Sequence, residues 1–251
     1  MKTIANLLIL LGITCTMQAQ HSLQSDLNLP RPGDEIIKQQ VEYKDPGRIG
    51  ENVLWDFGQL SIINDQYKLV YSEPFLIGDS IYLMGKETYR VTDYPDAQLF
   101  IGTEHHTRYY YLFQDSLLWA LGHENAATAL RYIKPLLSGV FPLAYGEIHA
   151  DTYSAQGVYS GRVPFENAGK VEIKADAFGM MVLPSGDTLR QVVRTKILRH
   201  FSEILPATDG DTVSVNTVLE NYQWYSKGYR YPVFETFHST VSEDTTEIDR
   251  F

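Results

Sequence analysis

Residues 213–225, VSVNTVLENYQWY, decide the fold class of this chain. β-Branched residues recur at every second position in the first half of this stretch, the spacing at which side chains share one face of a strand. Apolar positions then move to the other face at Trp224, which predicts a bulge or a change of buried face near Asn221. Residues 226–228, SKG, are predicted to turn, and residues 229–237 to return as the second strand of a β-hairpin.

A second hairpin is predicted around the turn sequence Pro184-Ser185-Gly186-Asp187. Residues 171–183 lead into this turn, and residues 189–201, LRQVVRTKILRHF, leave it. The apolar positions of the outgoing segment fit a helix about as well as a strand, so periodicity leaves both open. Its β-branched residues and the turn before it favour a strand.

Five shorter strands are predicted upstream, and turn signals recur about every 8 to 12 residues. Residues 125–130, NAATAL, are predicted as a short helix. The pattern is typical of an all-β, antiparallel β-sandwich, with an antiparallel β-barrel as the alternative. The predicted upstream strands are residues 66–72, 80–85, 87–92, 98–102 and 107–113.

Three segments describe the domain organisation. Residues 1–19 are predicted as a signal peptide, residues 20–65 as an extended strap rich in Pro and Gly, and residues 66–251 as one β-rich domain. The strap is expected to pack on the sheet.

The first segment has the charged, apolar and cleavable order of a secretory signal, with Lys2 at its start and Ala19 at its end. Its apolar run is far shorter than the roughly 20 residues that cross a bilayer, so no transmembrane anchor is expected. Lipidation at Cys15 is the alternative. A lipidated cysteine should follow a small residue, however, and here Thr14 stands in that position. The sequence therefore predicts export to the periplasm or the cell exterior, without disulfides, because Cys15 is the only cysteine.

The formal net charge of −10 is spread along the chain, and no cluster of Lys and Arg interrupts it. Nucleic acid would be repelled at long range, so it is not an expected partner.

Residues 29–60, 175–196 and 222–233 together resemble a group of uncharacterised exported proteins of Bacteroidota. The shared pattern runs G-D, P-G-x-x-G, W-D-F, G-x-x-x-L-P-x-G and W-Y-x-x-G-x-x-Y-P. The resemblance implies an exported β-rich protein and no particular activity. Many members of the group end in a sorting segment for type IX secretion, whereas this sequence stops at Arg250-Phe251, which favours the periplasm.

Histidine-containing motifs were weighed as metal sites. His123-Glu124 begins like a zinc-peptidase helix motif, but Ala127 stands where the second histidine should be. His149 and Asp151 share a strand face as metal ligands could, and exposed strand residues explain them equally well. We expect no metal, no cofactor and no assigned catalytic residue.

Aromatic residues give the remaining candidate site, a stacking surface for a glycan formed by Trp119, Trp224 and Tyr225. Buried aromatic packing is the competing interpretation. The predicted function is a binding or envelope-structural role, with a glycan or an envelope protein as the possible partner and an oligomeric state that the sequence does not indicate. A glycan-directed hydrolase with a carboxylate pair is the alternative, since such a pair leaves no local signature.

Overall fold

The structure of the chain, a computed structural model, describes residues 21–78, 80–83, 85–207, 211–243 and 246–250. Helical structure among these residues is confined to α1 (Ser25–Asn28) and a 3₁₀ turn at Val91–Asp93. The strands are β1 (Ser22–Leu23), β2 (Glu35–Lys38), β3 (Gly50–Asp56), β4 (Tyr67–Ser72), β5 (Leu76–Ile77), β6 (Ser80–Leu83), β7 (Lys86–Arg90), β8 (Gln98–Glu104), β9 (Thr107–Gln114), β10 (Leu117–Glu124), β11 (Thr128–Val140), β12 (Leu143–Ala144), β13 (Ile148–Tyr159), β14 (Val163–Val182), β15 (Thr188–Pro206), β16 (Thr212–Ser226), β17 (Phe234–Glu243) and β18 (Thr246–Arg250).

One 13-stranded sheet dominates the fold, in the order β18-β17-β16-β15-β14-β13-β11-β10-β9-β8-β4-β2, with β3 added beside β14. Every pairing along this path is antiparallel, and only the pairing of β3 with β14 is parallel. The end strands β2 and β18 are not paired with each other in the described residues, so the sheet does not close. The predicted all-β antiparallel sandwich is confirmed, and a closed antiparallel barrel is not what forms.

The largest core lies between the facing parts of this sheet. It contains buried side chains from β8, β11, β13, β14 and β15, such as Phe100, Tyr153 and Ile173. The outer face of the sheet is covered in two places. The small sheet β5-β6-β7 packs over Tyr110 and Leu112 of β9. Large residues on both faces of β9 are therefore covered.

The N-terminal segment covers the outer face of β14, β15 and β16. Trp55 and Phe57, which flank Asp56 at the end of β3, pack there against Met181 and Trp224. β3 comes so close to β14 that a Cβ on Gly179 would lie 1.9 Å from the carbonyl oxygen of Val53, so this position requires glycine.

Most predicted strands are confirmed within a few residues. The ambiguous segment 189–201 is strand, because β15 pairs with β14 on one side and β16 on the other. Tertiary pairing decides here what periodicity leaves open.

Two local predictions are wrong, and a third is confirmed in only one of its two alternatives. Residues 125–130 form no helix: the Asn125 side-chain oxygen accepts hydrogen bonds from the backbone N–H groups of Ala127 and Thr128, which makes a turn into β11. Residues 229–233 are not strand, and β17 begins at Phe234. Of the two alternatives at Asn221, the bulge is wrong, since β16 keeps an unbroken register with both neighbours, whereas the change of buried face is confirmed, because the buried residues of β16, Trp224 and Ser226, lie on the outer face.

The predicted signal peptide and Cys15 lie outside the described residues. None of the helical segments that the structure describes has the length and apolar character of a membrane span.

Candidate ligand-binding cavity

A cavity of about 1370 Å³ lies on the inner face of the sheet. Its lining alternates strictly along β15 and β16, because successive side chains of a strand point to opposite faces. On β15 the lining residues are Thr195, Ile197, Arg199, Phe201 and Glu203, and on β16 they are Leu219, Asn221, Gln223 and Tyr225.

Aromatic rings from strands across the sheet form much of the wall. Burial raises the pKa values of the Tyr71, Tyr111 and Tyr225 phenols well above the ordinary value for tyrosine, so all three stay neutral and can donate hydrogen bonds. The cavity reaches solvent where its lining side chains are exposed, as at Ile63 and Phe237. The lining aromatics on strands are Tyr67, Tyr71, Phe100, Tyr109, Tyr111, Tyr132, Tyr159, Phe165, Phe201, Tyr225, Phe234 and Phe237.

The two ends of the sheet meet at one lysine beside the cavity. Lys38 of β2 binds Glu235 of β17 at 2.6 Å and Glu104 of β8 at 2.9 Å, and about a fifth to a quarter of each side chain is exposed. We call this contact the seam. Burial alone would lower the pKa of Lys38, but attraction to Glu235 and the hydrogen bonds to Glu235 and Glu104 outweigh it, and the net pKa is raised. Lys38 therefore stays charged throughout the neutral range and stabilises the fold until the pH rises above the pKa of an unfolded lysine, near 10.4.

Replacing Lys38 with Met should leave Glu104 and Glu235 facing each other without a cation. We expect the free energy of unfolding to fall by about 2 kcal/mol at pH 7.5, between the values typical of exposed and of buried pairs. Mutual repulsion would raise the pKa values of the two carboxyls in the folded variant, so protonation near pH 4.5 should shrink the deficit. Urea unfolding at both pH values measures this.

The matched control is Lys68→Met. Lys68 of β4 forms an ion pair with Glu35 of β2, and both of these side chains are more than half exposed. That change should cost less than about 0.5 kcal/mol. An equal loss in the two variants, or a K38M deficit that does not depend on pH, would contradict the role assigned to the seam.

A second polar group lies deeper in the sheet, around Arg199 of β15. Its Nε and Nη2 donate to the Tyr153 hydroxyl at 3.2 and 2.8 Å, and its guanidinium lies 5.0 Å from the ring centres of both Tyr153 and Phe201. Burial, and then the charge of Arg199, lower the pKa of His123, which is therefore mostly neutral at pH 7. Arg199 is thus the permanent charge of this group.

Two buried acceptors face the same cavity without a hydrogen-bond donor among the described residues, Asn167 Oδ1 and Asn221 Oδ1. Asn167 does donate through Nδ2 to Glu203 at 3.3 Å, and Glu203 also accepts from Tyr159 at 2.7 Å. Burial and that hydrogen bond to Glu203 raise the pKa of Tyr159 to about 12. Buried polar atoms are normally paired, so the two acceptors call for a partner inside the cavity.

The three residues predicted to stack on a ligand are not brought together. Trp224 has no exposed surface and is enclosed on the outer face by Trp55, Phe57 and Phe234, so neither face of its indole is free. Trp119 is half-buried and packs against two core clusters. Tyr225 lines the cavity and is the member of the three that we retain in the candidate site.

The histidine motifs have structural roles in the described residues. His105 and His106 form the tight turn between β8 and β9, with φ values of 46° and 61°. Asp151 pairs with Lys134 at 2.6 Å, and Glu124 accepts a hydrogen bond from Tyr110 at 2.6 Å. Within the described ranges, no three His, Cys, Asp or Glu side chains are grouped as metal ligands would be.

Sequence analysis missed Arg199, Asn221 and the rest of the cavity lining, although one signal was present. The change of face near Asn221 arises because Asn221 and Gln223 continue the inner face with polar side chains. Polar residues at core positions of a regular strand indicate a lined cavity as well as a bulge.

Comparison of the chain with protein-family models, with curated proteins and with solved structures found no match.

Proposed function

We propose that this protein is an exported binding protein that holds an apolar or amphipathic small molecule inside its sheet. The observation that carries the proposal is the cavity of about 1370 Å³, whose lining combines many aromatic and aliphatic side chains with polar ones. Ligand sites are typically concave, mostly apolar and furnished with a few polar groups.

The size of the cavity favours a lipid-sized guest. Pockets for small ligands commonly span about 300–1,000 Å³, and this one is larger. Its charged and polar groups are gathered at separate places, with the seam at one, Arg199 at another and Asn167 with Glu203 at a third, and apolar side chains lie between them. A molecule with a long apolar part and one polar end matches such a wall better than a sugar, which needs hydrogen-bond partners all along its length.

Export supports the same function, because the leader at residues 1–19 would deliver the chain to the envelope, where apolar molecules need carriers to cross water. A structural role in the cell envelope is the broader alternative to this binding function.

Glycan hydrolysis stays a prediction that no contact in the cavity favours. Glu104 and Glu235 approach each other there, but the Lys38 ammonium lies between them and binds both. A general acid and a nucleophile would need that space for a glycosidic oxygen.

The proposal is tested by filling the cavity. Ile197 points into it, while the next residue, Leu198, points to the outer face of the same strand. We expect Ile197→Trp to weaken binding of the neutral fluorescent probe N-phenyl-1-naphthylamine at least tenfold, and Leu198→Trp to change it less than twofold.

The protein for this titration is purified from the exported fraction, where its mass also shows whether residues 1–19 have been removed. Ile197→Phe is the milder variant if the tryptophan variant does not fold, as judged by thermal unfolding. Absence of probe binding to the unmodified protein, or equal binding by the Ile197→Trp and Leu198→Trp variants, would contradict cavity binding, and a retained leader would contradict export.

A further inference from the structure

We propose that Arg199 selects the ligand by its charge, so that the guest is a long-chain amphiphile with an anionic head group, a carboxylate or a phosphate. This inference rests on the proposed function and adds the chemical class of the ligand.

The cationic side chains of the cavity differ in whether a carboxylate of the protein already compensates their charge. Lys38 is bound by two glutamates at the seam. Arg230 donates to the backbone oxygen of Asp26 in a solvent-exposed contact, so water can solvate its charge. Arg199 has no Asp or Glu oxygen within 4.0 Å of its nitrogens among the described residues. Its partners are neutral, so its positive charge has no protein counter-ion in contact.

Removing the charge of Arg199 from water costs free energy. A guanidinium is always protonated in proteins, and burying it without an anion is expensive. The Tyr153 hydroxyl and the Tyr153 and Phe201 rings stabilise it in part, since cation–π contacts contribute about 0.5–2 kcal/mol each. Arg199 is half-buried and the cavity reaches solvent, so water solvates the rest of its charge, and an anionic head group could take the place of that water.

Arg199 has hydrogen-bond donors left with which it can recognise an anionic head group. Two of the Arg199 nitrogens already donate to Tyr153, and the planar guanidinium has five N–H donors in all. The remaining donors can bind two oxygens of one carboxylate or phosphate. Neutral His123 and Tyr132 lie beside the guanidinium and add hydrogen-bonding groups without repelling an anion.

Apolar residues next to Arg199 can contact the tail of the ligand. Arg199 lies between Ile197 and Phe201 on the inner face of β15, and Leu219 is directly opposite on β16. A head group held at Arg199 therefore has apolar side chains next to it along β15 and across on β16, over which a chain can extend. A small free anion such as inorganic phosphate could contact the guanidinium but gains nothing from the apolar side chains, so it should bind much more weakly than a long-chain anion.

The experiment compares dodecanoate, dodecyl phosphate and dodecanol, which share a chain and differ in the head group, by displacement of N-phenyl-1-naphthylamine below their micellar concentrations. We expect the unmodified protein to bind at least one of the two anions tenfold or more tightly than the alcohol. Arg199→Met should reduce that preference to less than twofold while the affinity for dodecanol stays unchanged. Inorganic phosphate alone should not displace the probe.

Arg190→Met is the control, because Arg190 is an exposed arginine of the same strand and its loss changes the net charge equally. It should leave the preference intact. Arg199→Lys retains a charge and should keep part of the preference, which covers the case in which the methionine variant does not fold.

The outcomes separate the two proposals. Equal affinity for alcohol and anions in the unmodified protein, or an anion preference that survives Arg199→Met, overturns the role of Arg199 and leaves cavity binding standing. Failure of the probe and of all three amphiphiles to bind overturns cavity binding itself. A preference for one anion over the other identifies the head group and supports the inference.

Discussion

Replacing Arg194 with Met should lower the free energy of unfolding by about 3–5 kcal/mol, the cost of breaking a buried ion pair. Arg194 has no exposed surface, and its Nε and Nη2 bind the two carboxylate oxygens of Asp176 at 2.7 and 3.0 Å. Its Nη1 donates to the backbone oxygens of Pro46 and Gly47 in the N-terminal segment. The change strands a buried carboxylate and releases that segment from the sheet.

Urea unfolding measures the loss, and limited proteolysis near residue 47 reports release of the segment. Arg190→Met is again the matched control and should change stability by less than about 0.5 kcal/mol. The double variant R194M/D176L removes the stranded charge and should recover part of the stability but not the protection from protease. A loss below about 1 kcal/mol in R194M would contradict this account.

Replacing Trp224 with Ala should cost about 3–5 kcal/mol, the range for removing a large aromatic side chain from a core. Its ring makes edge-to-face contacts with Phe57 at 5.4 Å and with Phe234 at 5.6 Å between centroids. Thermal or urea unfolding measures the effect. Val213→Ala on the same strand is the control, because Val213 is 45% exposed and should lose less than about 1 kcal/mol.

The same position also distinguishes core packing from ligand stacking. Trp224→Phe keeps an aromatic ring in the outer cluster, and we expect its affinity for the naphthylamine probe to match that of the unmodified protein. A large loss of probe binding in this folded variant would return Trp224 to the ligand site.

The fold class could be predicted because its signals are local. Alternating apolar residues and turn sequences can each be recognised within a single strand or hairpin, and long helical patterns are absent from the sequence. The helix predicted at residues 125–130 was wrong because the Asn125 side chain satisfies the backbone of a turn there. Parallel pairing of β3 with β14 had no local signal, since it joins segments more than a hundred residues apart.

Side chains from residues 29–60, 175–196 and 222–233 meet on the outer face of the sheet. Pro46 and Gly47 accept hydrogen bonds from Arg194, while Trp55, Phe57 and Trp224 form one cluster. These residues hold the N-terminal segment in place. Arg199 stands outside these ranges, and its lack of a counter-ion emerges only when strands distant in sequence are assembled.

The seam has a consequence for how a guest could come and go. Because Lys38 and its two glutamates join the ends of the sheet, the wall there is fastened by ions and not by a backbone ladder. Separating β2 from β17 breaks the contact of Lys38 with Glu235, whereas the contact with Glu104 joins strands on the same side, and dissolved salt weakens such contacts. If the proposed binding function holds, we expect exchange of a guest through the seam to become faster as ionic strength rises.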